Sequence, residues 1–191
     1  MVTSRNSRRD VVRAAGRLFA DRGYHGTSMR DLGKELGLLG SSLYSHVSSK
    51  QDLLVEVVEE GARLFEESAA RALATAGSAT ERLDALIAGH VAVVVDNIEV
   101  ARTFLNEARM LDGEHRSRII DARDHYEEAF RSVIREGRED GSLAGQVNPK
   151  MASIFILSIL NALERWYRPD GQLDREALVA ELSRFVRAAL D

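Results

Sequence analysis

The stretch that decides the fold is TSMRDLGKELGLLGSSLYSHVSSK, Thr27 to Lys50. Thr27 can cap a helix whose first turn carries Asp31, where a negative charge suits the positive end of the helix dipole. Met29, Leu32 and Leu36 recur at helical spacing and give that helix one apolar face. Gly37 breaks the run and supplies the permissive backbone of a sharp turn between helices. Leu38 and Leu43 read as inward residues again. Between and beyond them Ser41, Ser42, Tyr44, Ser45 and His46 leave a small, polar, hydrogen-bonding surface. The unit is helix, tight turn, helix, too small to hold a core alone and of a size to enter a DNA major groove.

The flanks extend the pattern. Upstream, RRDVVRAAGRLFADRGYHGTSM (residues 8–29) puts Val11, Val12, Ala15, Leu18 and Phe19 on one helical stripe stopped by Gly23. Downstream, SSKQDLL (residues 48–54) opens a long helix with Ser49 as its cap and Lys50 at its start. Net charge is −4, which taken alone argues against a nucleic-acid partner. The distribution reverses this. Residues 1–50 hold nine lysines and arginines against four acids, and residues 51–191 hold 17 against 26. A basic head on an acidic body gives an oriented field that favours approach to DNA head-first.

Composition sets the outer bounds. A length of 191 residues allows one or two domains with a sizeable core. A chain 45% hydrophobic, without a run of about 20 apolar positions, reads as soluble, with no membrane partner. The basic start MVTSRNSRRD leads into an amphipathic helix and not a signal-peptide core. The chain has no cysteine, which excludes disulfides and thiolate chemistry and fits a cytoplasmic location.

The periodicity predicts an all-α chain of about nine helices, at roughly 4–22, 28–36, 40–46, 50–76, 80–96, 98–111, 114–139, 149–167 and 174–190. Thr80 is the expected cap of the fifth, and Asp112-Gly113 marks the turn before the seventh. Pro149 suits the first position of the eighth. That helix, through MASIFILSILNALERWY, is apolar on nearly every side and so needs covering all round. The last helix carries Leu178, Leu182, Phe185, Val186 and Ala189 as a stripe. Two consecutive helices with surplus apolar surface point to a symmetric pair interface, for which Leu163, Tyr167, Leu178, Leu182, Phe185 and Val186 are the candidates. The division expected is a helix-turn-helix DNA-binding domain at 1–50 and a ligand-binding and dimerisation domain at 51–191.

Residues 7–54 resemble the N-terminal domain of TetR-family transcriptional regulators, with LFADRGYHGTSM, GSSLYSHV and SSKQDLL in that family's order and spacing. The resemblance implies a homodimer on a double-stranded, roughly palindromic operator, with a four-helix bundle as its interface. It implies a recognition helix at about Gly40 to His46, with Ser42, Tyr44 and His46 facing DNA and Lys50 touching a phosphate. Thr27, with Ser28 beside it, matches a position that holds the DNA backbone. Ser41 and Ser45 complete the candidate DNA contacts, while Tyr44 also reads as half core. One departure is visible: where the family commonly opens the recognition helix with Ser or Thr, this chain has Leu39. That loses a cap worth on the order of 1 kcal/mol. Either Gly40 takes its place or Leu39 meets a thymine methyl.

The segments ERWYRPDG and GLLGSSLYSHV are similar to a subgroup of that family whose members answer to acyl-CoA thioesters in fatty-acid, phenylacetate and steroid degradation. An acyl-CoA effector needs an apolar slot and cations for phosphates. Val94, Phe104, Phe155, Ile159 and Trp166 are candidates for the slot. Arg102, Arg109, Arg165 and Arg168 are candidates for the phosphates. His90 and Asn161 are polar residues on apolar helices, whose groups must be satisfied by a ligand or by neighbouring backbone. Plain core packing and solvated arginines are the competing readings of the same residues. The expected function is a repressor released by that effector, which alters the spacing of the two heads, with no cofactor. A drug or other lipophile is the alternative effector, and activation remains an alternative to repression. An all-helical enzyme is the distant alternative. His25, His46, His90, His115 and His125 form no HExxH pair, and neither a Gly-rich phosphate loop nor a GxSxG elbow is present.

Overall fold

Three helices begin on the same device. Ser7, Ser28 and Ser78 each accept a hydrogen bond from the amide three residues on, at Asp10, Asp31 and Glu81, and each carboxylate accepts the serine N–H in return. Thr27 and Thr80, the expected caps, give way to Ser28 and Ser78 because only the serines stand three residues before an acid. The serine hydrogen bonds hold all three carboxyls below their ordinary range. The computed structural model describes residues 7–38, 43–45, 47–168, 170–171 and 173–190, and every regular element among them is helical. The chain is therefore all-α, as its periodicity requires. No helix among the described residues is long and apolar enough to cross a membrane.

The chain forms two compact units. The first comprises Met1–Ala62 and Glu99–Ile120. It contains α1 (Arg8–Arg22), α2 (Met29–Leu36), the start of α3 (Lys50–Leu73), nearly all of α5 (Ile98–Glu107) and the start of α6 (Gly113–Glu139). Gly37 ends α2 in the left-handed region at φ 64°, and Leu38 N–H bonds to the Gly33 carbonyl at 2.8 Å, so the chain turns within two residues. Val11, Leu18, Phe19, Leu32, Leu43 and Leu54 form the core, each burial stabilising by about 1.5–3 kcal/mol. Gly61 lets α3 approach α5: a Cβ there would lie 2.6 Å from Phe104 Cβ.

The second unit comprises Arg63–Ile98 and Asp121–Asp191. The division falls within α3 and within α6 and gives residues 99–120 to the first unit. Here α4 (Ala79–Asp96) is the central helix, packed by α7 (Pro149–Asn161), the single turn α8 (Leu163–Trp166) and α9 (Arg175–Leu190). Asn148 caps α7 ahead of Pro149. The helix expected to run unbroken over 149–167 tightens at Ala162, whose N–H bonds to the Ile159 carbonyl, and again at Arg165, bonded to Ala162. Along α9, Leu178, Leu182, Val186 and Leu190 are buried. Ion pairs from Arg175 to Asp96 (3.0 Å) and Arg187 to Asp84 (3.6 Å) flank its seam with α4.

Candidate functional site

The polar surface sought in the first unit begins with Leu43 and Val47, which are buried and anchor the segment between them. Tyr44 stands out from that anchor at 56% exposure, and Ser45 is exposed beside it. Leu39, Ser41, Ser42 and His46 lie outside the described residues. Arg9, Arg13, Arg30 and Lys34 are exposed on the same unit. Arg8 and Arg17 are paired with Glu56 and Glu35. Ser28 is exposed at the N-terminus of α2, with its hydroxyl engaged by Asp31.

Thr27 and Lys50 are turned inward. Thr27 is 1% exposed, and its hydroxyl bonds to the carbonyls of Leu18 (3.1 Å) and Gly23 (3.0 Å), tying the end of α1 to the start of α2. Lys50 Nζ donates to the carbonyls of Tyr24 and Thr27, each at 2.9 Å, and lies 4.1 Å from the centroid of the Tyr24 ring. Both side chains are thus occupied by the protein's own backbone, a use that a spacing argument for DNA contacts does not reveal.

In the second unit the polar residue of interest sits in an aromatic cluster. Phe65 of α3, His90 of α4, and Tyr126 and Phe130 of α6 pack with ring centroids 4.9–5.9 Å apart. His90 is 1% exposed, and its Nδ1 lies 3.2 Å from the Tyr126 hydroxyl. Burial lowers the His90 pKa to about 3 and raises that of Tyr126, so both are neutral at physiological pH. The tautomer in which Nδ1 accepts from the Tyr126 hydroxyl carries its proton on Nε2, and the other tautomer donates from Nδ1. Nε2 is buried without a hydrogen-bond partner, and the nearby Leu160 backbone opposes the shift in part.

Val94 is fully buried in this unit and Asn161 half-buried. Phe104 belongs to the first unit, packed on Gly61. The remaining slot residues are elsewhere: Phe155, Ile159 and Trp166 are exposed on α7 and α8, as is Arg165. Of the interface candidates, Phe185 is exposed, at 59%. Leu163, Tyr167, Leu178, Leu182 and Val186 are buried within their own chain and offer little surface to a partner. Periodicity finds apolar positions on these helices but does not say which apolar side faces the protein's own core. Tyr126 and Phe65 stand on the apolar faces that their spacing predicts; only tertiary contact makes them neighbours of His90.

Residues 76–190 match the family described as tetracyclin repressor-like, C-terminal domain, and residues 11–57 match bacterial regulatory proteins, tetR family. The chain is 28% identical over 172 residues to the HTH-type transcriptional repressor KstR2 of Mycolicibacterium smegmatis, covering 89% of this chain and 84% of that protein. A TetR-family transcriptional regulator, PfmR from Thermus thermophilus, superposes with a TM-score of 0.85 at 30% identity, over 95% of this chain and 98% of that one. AibR, solved in complex with isovaleryl coenzyme A and operator DNA, superposes with a TM-score of 0.84 at 27% identity, over 93% and 96% of the two chains. The capped turn in the first unit and the family matches along both halves lead to one conclusion: the chain belongs to the TetR family of transcriptional regulators.

Proposed function

We propose that the chain is a dimeric repressor that binds a roughly palindromic operator through its first unit and is released by an acyl-CoA thioester bound in the second. The observation that carries the effector assignment is the His90–Tyr126 pair. A buried ring nitrogen without a partner inside an aromatic and aliphatic core costs about 1–3 kcal/mol, and Nε2 is a donor in the tautomer whose Nδ1 accepts from Tyr126. A thioester carbonyl can accept from Nε2 while its acyl chain takes the apolar surroundings. The AibR complex supports this class of ligand, and the KstR2 relative supports repression. The aromatic cluster favours a planar lipophile as the second reading.

On the DNA side the reading assigns Tyr44 and Ser45, with Ser41, Ser42 and His46, to the groove, and Ser28 to the backbone. For the dimer it assigns the exposed face of Phe155, Ile159, Trp166 and Phe185. Ile159, Trp166 and Phe185 line an open, mainly apolar hollow of about 420 Å³, the kind of surface that monomers seldom leave uncovered, and Phe155 is exposed on the same helix as Ile159. Two copies of α7 and α9 would make a four-helix bundle, with Leu163, Tyr167, Leu178, Leu182 and Val186 holding those helices to their own chain. The effector acts by population shift, preferring the state in which the two heads no longer match successive grooves about 34–36 Å apart. Such a regulator works in the cytoplasm, where the chromosome is.

The test is calorimetric titration of the purified protein with short- and long-chain acyl-CoA, free CoA and the free acids. Saturable binding of a thioester that His90→Leu weakens at least tenfold is the result expected. Binding of the free acid as tightly as the thioester, or of no thioester, contradicts the effector assignment.

A further inference from the structure

The turn between α1 and α2, residues 23–28, sets where the helix-turn-helix begins, and residues distant in sequence hold it. Tyr24 N–H, the first amide beyond the end of α1 at Gly23, donates to Glu107 Oε2 at 3.2 Å. Gly23 stands at φ 72°, and a Cβ there would lie 3.5 Å from Glu107 Oε1, so the carboxylate rests across the Gly23–Tyr24 peptide. The Tyr24 hydroxyl donates to Gln51 Oε1 at 2.7 Å, and Gln51 Nε2 donates to the Met110 carbonyl at 3.3 Å. Nearer the start of α5, the buried Thr103 hydroxyl lies 3.3 Å from the Gly16 carbonyl of α1 and 2.9 Å from the Glu99 carbonyl of its own helix. Thr103, Glu107 and Met110 follow at i, i+4 and i+7. One side of α5 and of the tighter turn that continues it, Ala108–Met110, therefore carries all three contacts.

We infer that Glu107 is a positioning residue for DNA reading: its carboxylate fixes the α1–α2 turn through the Tyr24 amide, and with it the angle at which α2 and the segment after it are presented. Its part in reading rests on the proposed operator binding, whereas its hold on the turn is measurable without DNA. A half-buried backbone N–H needs an acceptor, and a carboxylate is a stronger one than a neutral carbonyl. The sign of the effect separates this role from a purely electrostatic one. Glu107 places a negative charge on the unit that approaches a polyanion. Acting through charge alone, its removal would strengthen binding to every duplex. Acting through the turn, its removal spreads the orientations of the reading surface and weakens binding. Glutamine keeps an acceptor oxygen on a stem of the same length and loses the charge, while methionine keeps the stem and loses the oxygen.

The experiment uses the full chain and a fluorescent duplex selected by the wild-type protein from a random pool, titrated at several salt concentrations. Glu107→Met is expected to weaken binding at least tenfold. Glu107→Gln is expected to bind within about threefold of wild type, or more tightly, because the acceptor is kept. The two variants carry the same charge and should share one slope of log affinity against log salt. Amide hydrogen exchange at residues 24–28 is the readout that needs no DNA. Faster exchange there in Glu107→Met, with wild-type exchange in Glu107→Gln and in the α4 amides of both, is expected. Binding by Glu107→Met as tight as wild type or tighter overturns the inference, as does an equal loss in Glu107→Gln. Unchanged exchange at residues 24–28 in Glu107→Met overturns it too, and exchange that rises throughout that variant shows a general structural role instead. Failure of the wild type to select any duplex would count against the operator reading, leaving the exchange experiment to decide whether Glu107 holds the turn.

Discussion

His90 Nδ1 lies 3.2 Å from the Tyr126 hydroxyl, inside a core otherwise made of Phe65, Phe130 and aliphatic side chains. The contact joins α4 to α6 and satisfies the hydroxyl of one buried residue with one nitrogen of another. Tyr126→Phe removes the hydroxyl and leaves His90 Nδ1 without its partner. That variant should lose about 1–3 kcal/mol of stability, measured by urea denaturation, whereas the loss of an exposed hydroxyl would leave the transition within error.

The same burial gives stability a pH dependence of definite sign. The native His90 resists protonation down to about 3, while the unfolded residue titrates near 6.5. The unfolded chain therefore binds a proton first as pH falls. The contribution of neutral His90 is fully present above about 6.5 and is lost progressively between there and about 3, at up to ~1.4 kcal/mol per pH unit. His90→Phe should flatten the dependence of the melting temperature between about pH 6.5 and 5. The three capping carboxylates, with lowered values, stabilise above their unfolded range and lose that contribution only in more acidic solution. A dependence in this window that survives in His90→Phe assigns it to other groups.

Gly61 is required by Phe104. A Cβ at position 61 would stand 2.6 Å from Phe104 Cβ, a distance that a stiff, backbone-proximal atom cannot relieve by changing rotamer. Gly61→Ala should destabilise by about 1–3 kcal/mol despite the better helix propensity of alanine. Thermal unfolding decides this; a rise in melting temperature would show that the approach of α3 to α5 is soft.

Much of this arrangement was legible in the sequence, and the rest fails for identifiable reasons. The turn at Gly37 and the start of α7 at Pro149 follow from local chemistry and stand where expected. The caps were displaced by one or two residues because the i to i+3 pairing with an acid, and not the hydroxyl alone, chooses Ser28 and Ser78. Apolar periodicity located α7 and α9 but left their two apolar sides undivided, so Leu163 and Trp166 read alike, although one is buried and the other half exposed. The Lys50 contacts depend on two backbone carbonyls brought close by folding, and no side-chain pattern announces those.

Phe185 and Trp166 test the proposed dimer. Phe185 is 59% exposed and Trp166 50%, so replacing either by an acid should leave the fold of one chain intact. Phe185→Asp should convert a dimer to a monomer in analytical ultracentrifugation. It should also weaken operator binding by about a hundredfold or more, because the second head loses its effective concentration. A monomeric wild type, or a variant that remains dimeric, places the interface elsewhere.

Tyr44 tests the proposed reading surface. Exposed between the buried Leu43 and Val47, its side chain has little to do with folding. Tyr44→Ala should lower duplex affinity by about tenfold with an unchanged melting temperature, the cost expected of one lost base or backbone contact per head. By contrast, Leu43→Ala should cost about 2–5 kcal/mol of stability. Anisotropy titrations and melting curves on the two variants separate a residue that reads from one that supports.

The most direct measurement of the central claim is release of the protein from labelled duplex DNA, taken from upstream of its own gene or selected from a random pool, as acyl-CoA thioesters are added. The account predicts salt-sensitive, specific binding by a dimer, abolished by one acyl-CoA at concentrations where free CoA and the corresponding free acid have no effect. Specific binding that persists in the presence of every thioester, and is lost with a lipophile lacking CoA, would contradict it.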